Sequence, residues 1–375
     1  MKSCYATRGF LPCADPASEL TLGEPFEVLD QVGRSLPSLL LENDARDYLL
    51  KVHVPDWPYV NIPDDLWPQA CLYYVRLGFI ASGYINQVGQ PACHALPTNL
   101  ARPICKIATL LQRPPILSYD GYALYNWKRF DPKKPVELGN IDTLQNFVHL
   151  YDEHWFILVH VEIEALAADI VDVVVGLNAA LKKAPQDLTT KQVDSALDRV
   201  AIAMTKIIQV LQRIPEKMSD DLYFAKFRPY IGQFKDVVYQ GVNIEPISFR
   251  GETGAQSSIM PLLTEFMKIP HQDNKLTRHL YDMRQYMPND HRLLLAETRA
   301  MQDIKVLASA EKFDAVLELM ACFREVHYHW AIKYIARRCN DQQGTGGTPF
   351  MRWLKFLIEE TRAHKSDGSH GTVVA

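Results

Sequence analysis

The chain lacks the features that identify several classes of protein. Its seven cysteines include no CxxC pair, so neither a disulfide framework nor a zinc site is expected. Charged residues make up 22% of the sequence, the net charge is −4 and no long basic run occurs, so neither nucleic acid nor an anionic membrane is an expected partner. The N-terminus has no apolar stretch long enough for a secretory signal, and the most apolar run, ADIVDVVVGLNAAL, is interrupted by Asp172 and Gly176. We therefore expect a soluble, reduced, cytoplasmic protein.

Alternating strand patterns are also scarce, whereas helical periodicity is abundant. The first ~110 residues are irregular and proline-rich, with a helical piece at 65–85. After Asp142, apolar residues recur at i, i+3, i+4 and i+7, which predicts helices over 143–182, 191–214, 257–268, 291–308 and 311–338. The sequence thus predicts an all-α fold, with a smaller, mixed, proline-rich N-terminal domain (1–145) and a large helical domain (146–375).

Two loops rich in small residues interrupt the helices. SFRGETGAQSS (248–258) allows the backbone to approach a ligand closely. GTGGT (344–348) lacks the lysine of a P-loop and does not follow a strand, so a phosphate site is not expected there. The tail HKSDGSHGTVVA is predicted to be disordered.

Two histidines lie two positions apart in the helical stretch FREVHYHWAIKYI (323–335). They point about 200° apart on a helix and so cannot serve one site together. His327 falls on the apolar stripe, whereas His329 falls among charged residues on the opposite side. His327 is therefore either a core histidine bonded to a neighbour or a ligand. Because no cysteine or carboxylate shares its face, axial ligation of haem suits it better than a zinc site.

Eight motifs occur in the order found in the indoleamine 2,3-dioxygenase family. They are PPILSYDGYALYNWKRFDPKKP, WFILVHVEIEA, FRPYIG, VVYQGV, GAQSS, DMRQYMPNDHR, HYHWAIKYI and GTGGT. The sequence resembles that family over about residues 110 to 360. The resemblance implies an all-α enzyme with ferrous haem b that opens the indole ring of L-tryptophan or a related indoleamine with O2, giving N-formylkynurenine. It also implies an external reductant that keeps the iron ferrous.

The family's proximal motif matches Arg324, His327 and the KYI at 333–335 without a gap. The resemblance implies that His327 is the proximal ligand of the haem iron and that Arg324 lies near a haem propionate. The alternative for Arg324 is an ordinary solvated arginine.

On the distal side, the resemblance places Phe156 and His160 one helical turn apart over the haem. Mammalian-type members carry serine where His160 stands, whereas the similar tryptophan 2,3-dioxygenases use a distal histidine. His160 is therefore implied to hydrogen-bond the indole N–H or bound O2. The alternative is a polar residue at a helix interface.

The resemblance also implies a set of residues that bind the substrate. Arg228 would pair with the substrate carboxylate, a task that suits a planar, bidentate, always-charged donor. The resemblance gives Tyr223 and Phe224 as aromatic walls of the indole pocket, although both are as easily core residues. Tyr119 and Tyr122 would cover the pocket, with Tyr122 in place of a cysteine. The last implied positions are Thr253, Gly254 and Ala255 at the haem edge, and Thr348 in a loop that closes over the substrate, for which a flexible linker is the alternative.

Two other functions stay open. A related haem enzyme of secondary metabolism would act on a modified tryptophan, and the departures from the family at Tyr122, Tyr223 and His160 leave room for one. A non-catalytic haem or gas-binding protein would explain His327 but would give Arg228 and the aromatic wall no purpose.

Overall fold

The computed structural model describes residues 5–338 and 350–366. Its α-helices are α1 (Tyr5–Arg8), α2 (Glu27–Leu39), α3 (Ala45–Lys51), α4 (Trp67–Ile85), α5 (Thr98–Leu111), α6 (Tyr151–Leu166), α7 (Ala168–Lys183), α8 (Thr190–Gln212), α9 (Asp220–Leu222), α10 (Ile259–Phe266), α11 (Lys275–Met283), α12 (Asn289–Arg299), α13 (Ala310–Ala331) and α14 (Phe350–Ala363). The predicted all-α class is confirmed.

Five short strands accompany the helices: β1 (Ala95–Leu96), β2 (Lys128–Arg129), β3 (Ile141–Asp142), β4 (Phe234–Tyr239) and β5 (Ile247–Phe249). β1 pairs in parallel with β4, β4 pairs antiparallel with β5, and β2 pairs antiparallel with β3. A strand from the first hundred residues thus joins a strand from beyond residue 230. One apolar core also includes residues from both sides of position 145, where the domain boundary stays a prediction.

Two helices carry the histidines singled out by the sequence, α6 with His160 and α13 with His327. Both helices pack against α8, and α13 also packs against α14. α8 begins at a capping box in which Thr189 and Gln192 satisfy each other's backbone N–H groups. The shared partner α8 therefore places α6 and α13 near each other.

Two predicted helices have different limits in the structure. The helix expected over 143–182 begins only at Tyr151 and is divided at Ala167. It starts late because the Glu153 carboxylate accepts the backbone N–H groups of Phe147 and Val148, which fixes those residues as a loop. The helix expected over 291–308 ends at Arg299, where the Lys268 ammonium donates to the last carbonyl oxygens.

Three π-helical segments occur in the described chain: Asp120–Leu124, Tyr223–Phe227 and Ile332–Ala336. A π-turn inserts an extra residue into the helical repeat, and such turns are frequent at functional sites. The first contains Tyr122, the second contains Tyr223 and Phe224, and the third follows the helix of His327. The irregular turns therefore coincide with residues expected in the site.

The structure describes the state of five of the seven cysteines. Cys13 is disulfide-bonded, so the expectation of a wholly reduced chain does not hold there. Cys71, Cys93, Cys105 and Cys322 are free thiols.

Among the described residues, no helix combines the length and apolar character needed to cross a bilayer. The GTGGT loop, and with it Thr348, lies outside the described residues, as do residues 367–375 of the tail.

Candidate active site: an apolar cavity that contains His160 and His327

A cavity of about 260 Å3 lies between α6, α13 and the loop that precedes α10. Much of its wall is apolar, with side chains that include Ile163, Met260, Leu276, Leu354 and Leu357. Seven of the residues that the sequence singled out also line it: Tyr119, His160, Thr253, Gly254, Ala255, Arg324 and His327. The structure therefore brings together residues that are more than two hundred positions apart in the chain.

His327 presents its side chain to this cavity. Although the residue lies deep in the molecule, much of its surface is accessible, because it faces the cavity and not a packed neighbour. Burial lowers the pKa of His327 to about 4, with a smaller contribution from His160, so the ring is neutral at pH 7. No residue of the described chain is hydrogen-bonded to it. The alternative, a core histidine hydrogen-bonded to a neighbouring residue, therefore has no such partner among the described residues.

His329 has a different environment. Its side chain is exposed, and its Nδ1 atom lies 2.8 Å from the carbonyl oxygen of Glu325 on the same helix. It does not line the cavity, as far as the described residues define it. The helical phase predicted this division between the two histidines.

His160 lines the same cavity from α6. Its Nδ1 atom lies 2.7 Å from the carbonyl oxygen of Phe156, and its ring packs edge-on against the rings of Phe156 and Tyr119 at 4.6 and 5.9 Å. Burial lowers the pKa of His160. The ring is therefore held in one orientation in its neutral form.

Arg324 is buried, and its guanidinium links three segments of the chain. It donates to the carbonyl oxygen of Leu357 at 2.9 Å, to the hydroxyl of Thr361, and to the hydroxyl of Thr264 at 3.4 Å. Burial lowers its pKa to about 10. Arg324 thus ties α13 to α10 and α14 while lining the cavity, and its contact with a propionate stays a prediction.

The loop before α10 supplies backbone to the cavity wall. The Thr253 hydroxyl accepts the backbone N–H of Ala255 at 3.4 Å, which closes a tight turn. A Cβ atom built on Gly254 would have no neighbour within 4 Å, so a side chain there would project into open space. Small residues at this turn keep the cavity wide, as the resemblance implies for a site that admits a porphyrin.

A buried carboxyl group fastens this loop to α6. Glu164 on α6 accepts hydrogen bonds from the Tyr119 hydroxyl at 2.8 Å and from the Ser257 hydroxyl at 2.6 Å. Gln256 adds to the link, because its side-chain oxygen accepts the backbone N–H of Tyr119 at 2.9 Å. Burial raises the pKa of Glu164 to about 7. Three separate segments therefore meet at one carboxyl group.

Phe156, Tyr122 and Tyr223 form an aromatic cluster next to His160 and do not contribute to the described wall of the cavity. Phe156 is its centre, with ring distances of 6.3 Å to Tyr122 and 5.5 Å to Tyr223. The Arg228 guanidinium lies 5.3 Å from the ring centre of Phe224. Burial raises the pKa of Tyr223 to about 12, and a hydrogen bond with Arg228 opposes that rise. Arg228 is thus adjacent to the aromatic residues with which the resemblance associates it.

Three buried glutamates with raised pKa values were not singled out from the sequence. Burial raises the pKa of Glu153 and of Glu164 to about 7 and that of Glu252 to about 8. Glu164 follows His160 by one helical turn, so helical phase could have indicated it. Glu153 and Glu252 carry no such pattern. Glu164 is bonded to two residues of the cavity wall, Tyr119 and Ser257, and perturbed carboxyl groups are frequent near functional sites.

The donor set of the cavity fits a haem better than a free metal ion. No group of three or more histidine, cysteine, aspartate or glutamate side chains suited to holding a metal occurs in the described residues. His327, by contrast, offers one neutral imidazole to a cavity with largely apolar walls. A single imidazole suffices for haem, since the porphyrin supplies the other ligands.

Comparison with known proteins adds family relationships to this geometry. The model of the indoleamine 2,3-dioxygenase family matches residues 3–364. The chain is 27% identical over 380 residues to human indoleamine 2,3-dioxygenase 2, covering 92% of this chain and 91% of the relative. It is 26% identical over 393 residues to a 6-hydroxytryptophan 2,3-dioxygenase of Fusarium equiseti, covering 94% of each. It is also 24% identical over 381 residues to a myoglobin of Haliotis madaka, covering 94% of this chain and 95% of the relative.

Proposed function

Because the chain belongs to the indoleamine 2,3-dioxygenase family of haem-dependent oxidoreductases, we propose that it inserts both atoms of O2 across the indole C2–C3 bond of L-tryptophan, giving N-formylkynurenine. The observation that supports the proposal is His327, a neutral imidazole that lines the cavity and to which no described residue is hydrogen-bonded. His327 would hold the iron of haem b. When bound in its ferrous form, that haem would supply the O2 chemistry.

The chain's own residues would bind and orient the amino acid. Arg228 would pair with the substrate carboxylate, for which a guanidinium offers two parallel N–H donors. Phe156 and Tyr223, whose rings lie 5.5 Å apart, would wall the indole. Such packing fixes the ring and excludes water from it, which is the main service that a protein provides to a cofactor reaction.

His160 would orient the indole by accepting a hydrogen bond from the indole N–H group. The Phe156 carbonyl can only accept a hydrogen bond, so the Nδ1 atom of His160 carries the proton and its Nε2 atom offers a lone pair. Tyr119 keeps the ring in place by edge-on packing, and Glu164 in turn holds the Tyr119 hydroxyl. An acceptor fixed in this way would set the angle of the indole C2–C3 bond within the cavity.

Turnover of L-tryptophan tests this proposal. Purified protein loaded with haem b, with ascorbate and methylene blue as the reductant, is expected to convert L-tryptophan to a product with the absorption spectrum and mass of N-formylkynurenine. Both added oxygen atoms should come from labelled O2 and none from labelled water. Haem binding without any such turnover would contradict the proposal.

A second candidate is a dioxygenase of secondary metabolism that acts on a modified tryptophan. The relative in Fusarium equiseti is named for a hydroxylated tryptophan, and this chain is similar to it over 94% of its length. The polar side chains of Tyr122 and Tyr223 beside Phe156 favour a substrate with a polar group on its ring. Comparing L-tryptophan with hydroxylated and chlorinated tryptophans in the same assay separates the two candidates.

A third candidate is reversible O2 binding without chemistry. The similarity to a myoglobin shows that a chain with a related sequence can carry that name, although the identity is only 24%. Arg228 and the aromatic cluster would then have no substrate to bind. A stable oxygenated form that persists when L-tryptophan is added, without product, would favour this candidate.

A further inference from the structure

One side of the cavity is polar, although much of its remaining wall is apolar. We call residues 271–284, which form this side and include α11, the α11 wall. Its polar side chains that line the cavity are His271, Thr277, His279, Tyr281 and Arg284. A ligand that is apolar over most of its surface and anionic at one edge matches such a cavity. Haem b has this form, because its propionates extend from one edge of an apolar porphyrin.

Arg284, directly after α11, is held by contacts to two other side chains. Its Nη1 atom donates to Oε1 of Glu265 on α10 at 2.7 Å, and its guanidinium carbon lies 4.5 Å from the ring centre of Tyr281. The side chains of Arg284 and Glu265 are only 21% and 11% exposed, so solvent screens this pair weakly. A guanidinium has more N–H groups than one such contact uses. Because Arg284 also lines the cavity, N–H groups that Glu265 does not take can donate to a ligand there.

Arg324 and Arg284 contact adjacent residues of α10. Arg324 donates to the Thr264 hydroxyl at 3.4 Å, and Arg284 is paired with Glu265, the next residue. The hydrogen bonds of Arg324 within the described chain all go to neutral acceptors, which are two hydroxyl groups and a carbonyl oxygen. The two guanidinium groups therefore bring one positive charge more than Glu265 neutralises. A buried charge without a counter-ion is costly, so an anionic ligand gains affinity at this place.

A second pair beside Arg324 is less suited to an anion. Glu360 on α14 precedes the threonine that accepts from Arg324, and its carboxylate lies 2.7 Å from Nδ1 of His271. A histidine balances a carboxylate only when it is protonated, whereas an arginine keeps its charge throughout the physiological pH range. The pair at Glu360 can therefore remain negative, while the pair at Glu265 is always neutral. An anionic group beside Arg324 is thus favoured on the side of Arg284.

We propose that Arg284, together with Arg324, binds a propionate of the haem, so that the propionate edge of the porphyrin faces the α11 wall. This inference rests on the proposed function, because it requires haem in the cavity. A guanidinium suits a carboxylate, to which it can donate two parallel N–H groups. His327 would hold the iron but leave the porphyrin free to turn about the iron–nitrogen bond, and a second contact at the edge stops that rotation. Arg284 would thus set which edge of the porphyrin each side of the cavity meets.

Loss of haem from the loaded protein tests the proposal without turnover. The full chain is loaded either with haem b or with its dimethyl ester, in which the propionates are uncharged, and excess apomyoglobin then takes up the porphyrin that dissociates. The change in the Soret band gives the rate of dissociation. In Arg284→Gln we expect haem b to leave ~10- to 100-fold faster than from the wild type, the usual effect of losing a charge-assisted hydrogen bond. The dimethyl ester should leave both proteins at nearly the same rate, because it has no carboxylate for the guanidinium to bind.

Two further variants separate this contact from a general loss of stability. Arg278→Gln is the matched control, because Arg278 belongs to the same helix, is paired with Asp273 and is 69% exposed. It should lose both porphyrins at the wild-type rates. The double variant Arg284→Gln, Glu265→Gln leaves no carboxylate without its partner, and haem b should leave it as fast as it leaves Arg284→Gln.

Three results would overturn the proposal. Equal acceleration of haem b and the dimethyl ester in Arg284→Gln would show that Arg284 supports the cavity and contacts no propionate. An unchanged rate for haem b in that variant would exclude the contact directly. A return to the wild-type rate in the double variant would show that the unpaired Glu265 had caused the loss. If the wild type binds neither porphyrin, the proposed haem-dependent function itself fails.

Discussion

The Nδ1 atom of His160 lies 2.7 Å from the carbonyl oxygen of Phe156, one turn earlier on the same helix. A carbonyl oxygen only accepts hydrogen bonds, so this contact places the ring proton on Nδ1 and leaves Nε2 as an acceptor. Burial lowers the pKa of His160, which keeps the ring neutral at pH 7. The α6 side of the cavity therefore presents a lone pair, and under the proposed function a substrate N–H is its expected partner.

Removing this acceptor should slow the reaction in a way that depends on the indole N–H. In His160→Ala we expect kcat/KM for L-tryptophan to fall ~10- to 100-fold, the usual effect of losing a buried hydrogen bond of about 1–3 kcal/mol. For 1-methyl-L-tryptophan, which has no N–H to donate, the wild type and the variant should differ much less. Steady-state kinetics on both substrates measure the two ratios. Equal losses on both substrates would show that His160 acts on something other than the indole N–H.

The two histidines of α13 should differ completely in their effect on haem binding. His327→Ala should abolish the Soret band of the reconstituted protein, because His327 is the cavity histidine assigned to the iron and the ring of His160 is held by the Phe156 carbonyl. His329→Ala, two positions away, should bind haem like the wild type. Added imidazole should restore a Soret band in His327→Gly, since the cavity then has room for a free ligand. Loss of haem from the His329 variant, or retention of it in His327→Ala, would contradict the assignment.

Replacing Arg228 should weaken the binding only of those ligands that carry a carboxylate. Its guanidinium lies over Phe224 and interacts with Tyr223, at the edge of the aromatic cluster. In Arg228→Ala we expect the Kd of L-tryptophan to rise ~10- to 100-fold, since a charge-assisted hydrogen bond contributes about 1.5–3 kcal/mol. Tryptamine, which lacks the carboxylate, should bind the variant as it binds the wild type. Arg338→Ala, which removes an arginine paired with Asp220 and Asp221, is the control and should leave both ligands unaffected.

Periodicity was enough to separate His327 from His329, because the direction of a side chain on a long helix follows from its position alone. The limits of the helices were harder to predict. α12 ends at Arg299 because the Lys268 ammonium, some thirty positions earlier in the chain, binds its last carbonyl oxygens. α6 begins late because Glu153 holds the preceding residues as a loop. Both are tertiary effects that a local pattern does not contain.

The buried acids of the site could not be predicted for a related reason. Glu252 stands in a loop of small residues, and nothing in its neighbours indicates that the loop is drawn inward against Ile231. Glu164 lies at the right helical phase, but its two hydroxyl partners, Tyr119 and Ser257, come from distant segments. The environment that raises the pKa of each acid exists only after folding.

Glu164 should make stability depend on pH in a direction that its raised pKa determines. The folded state holds a proton on this carboxyl up to about pH 7, whereas the unfolded chain releases it near the ordinary glutamate pKa of 4.5. The folded state therefore binds more protons between these two values, so the free energy of unfolding falls as the pH rises through that range. Above about pH 7 the contribution becomes constant, after a total loss of roughly 3 kcal/mol at most.

Replacing Glu164 with glutamine should remove this pH dependence while preserving an acceptor for Tyr119 and Ser257. Urea unfolding of the wild type and Glu164→Gln between pH 5 and pH 8 measures the difference in free energy of unfolding between them. We expect that difference to shift in favour of the variant as the pH rises. In the wild type the unfolded chain releases the proton of Glu164 at a lower pH than the folded protein does, which favours unfolding, whereas glutamine does not titrate. Glu297→Gln, at an exposed position, should show no such trend. A difference between wild type and Glu164→Gln that stays constant from pH 5 to pH 8 would show that the carboxyl is already ionised in the folded protein.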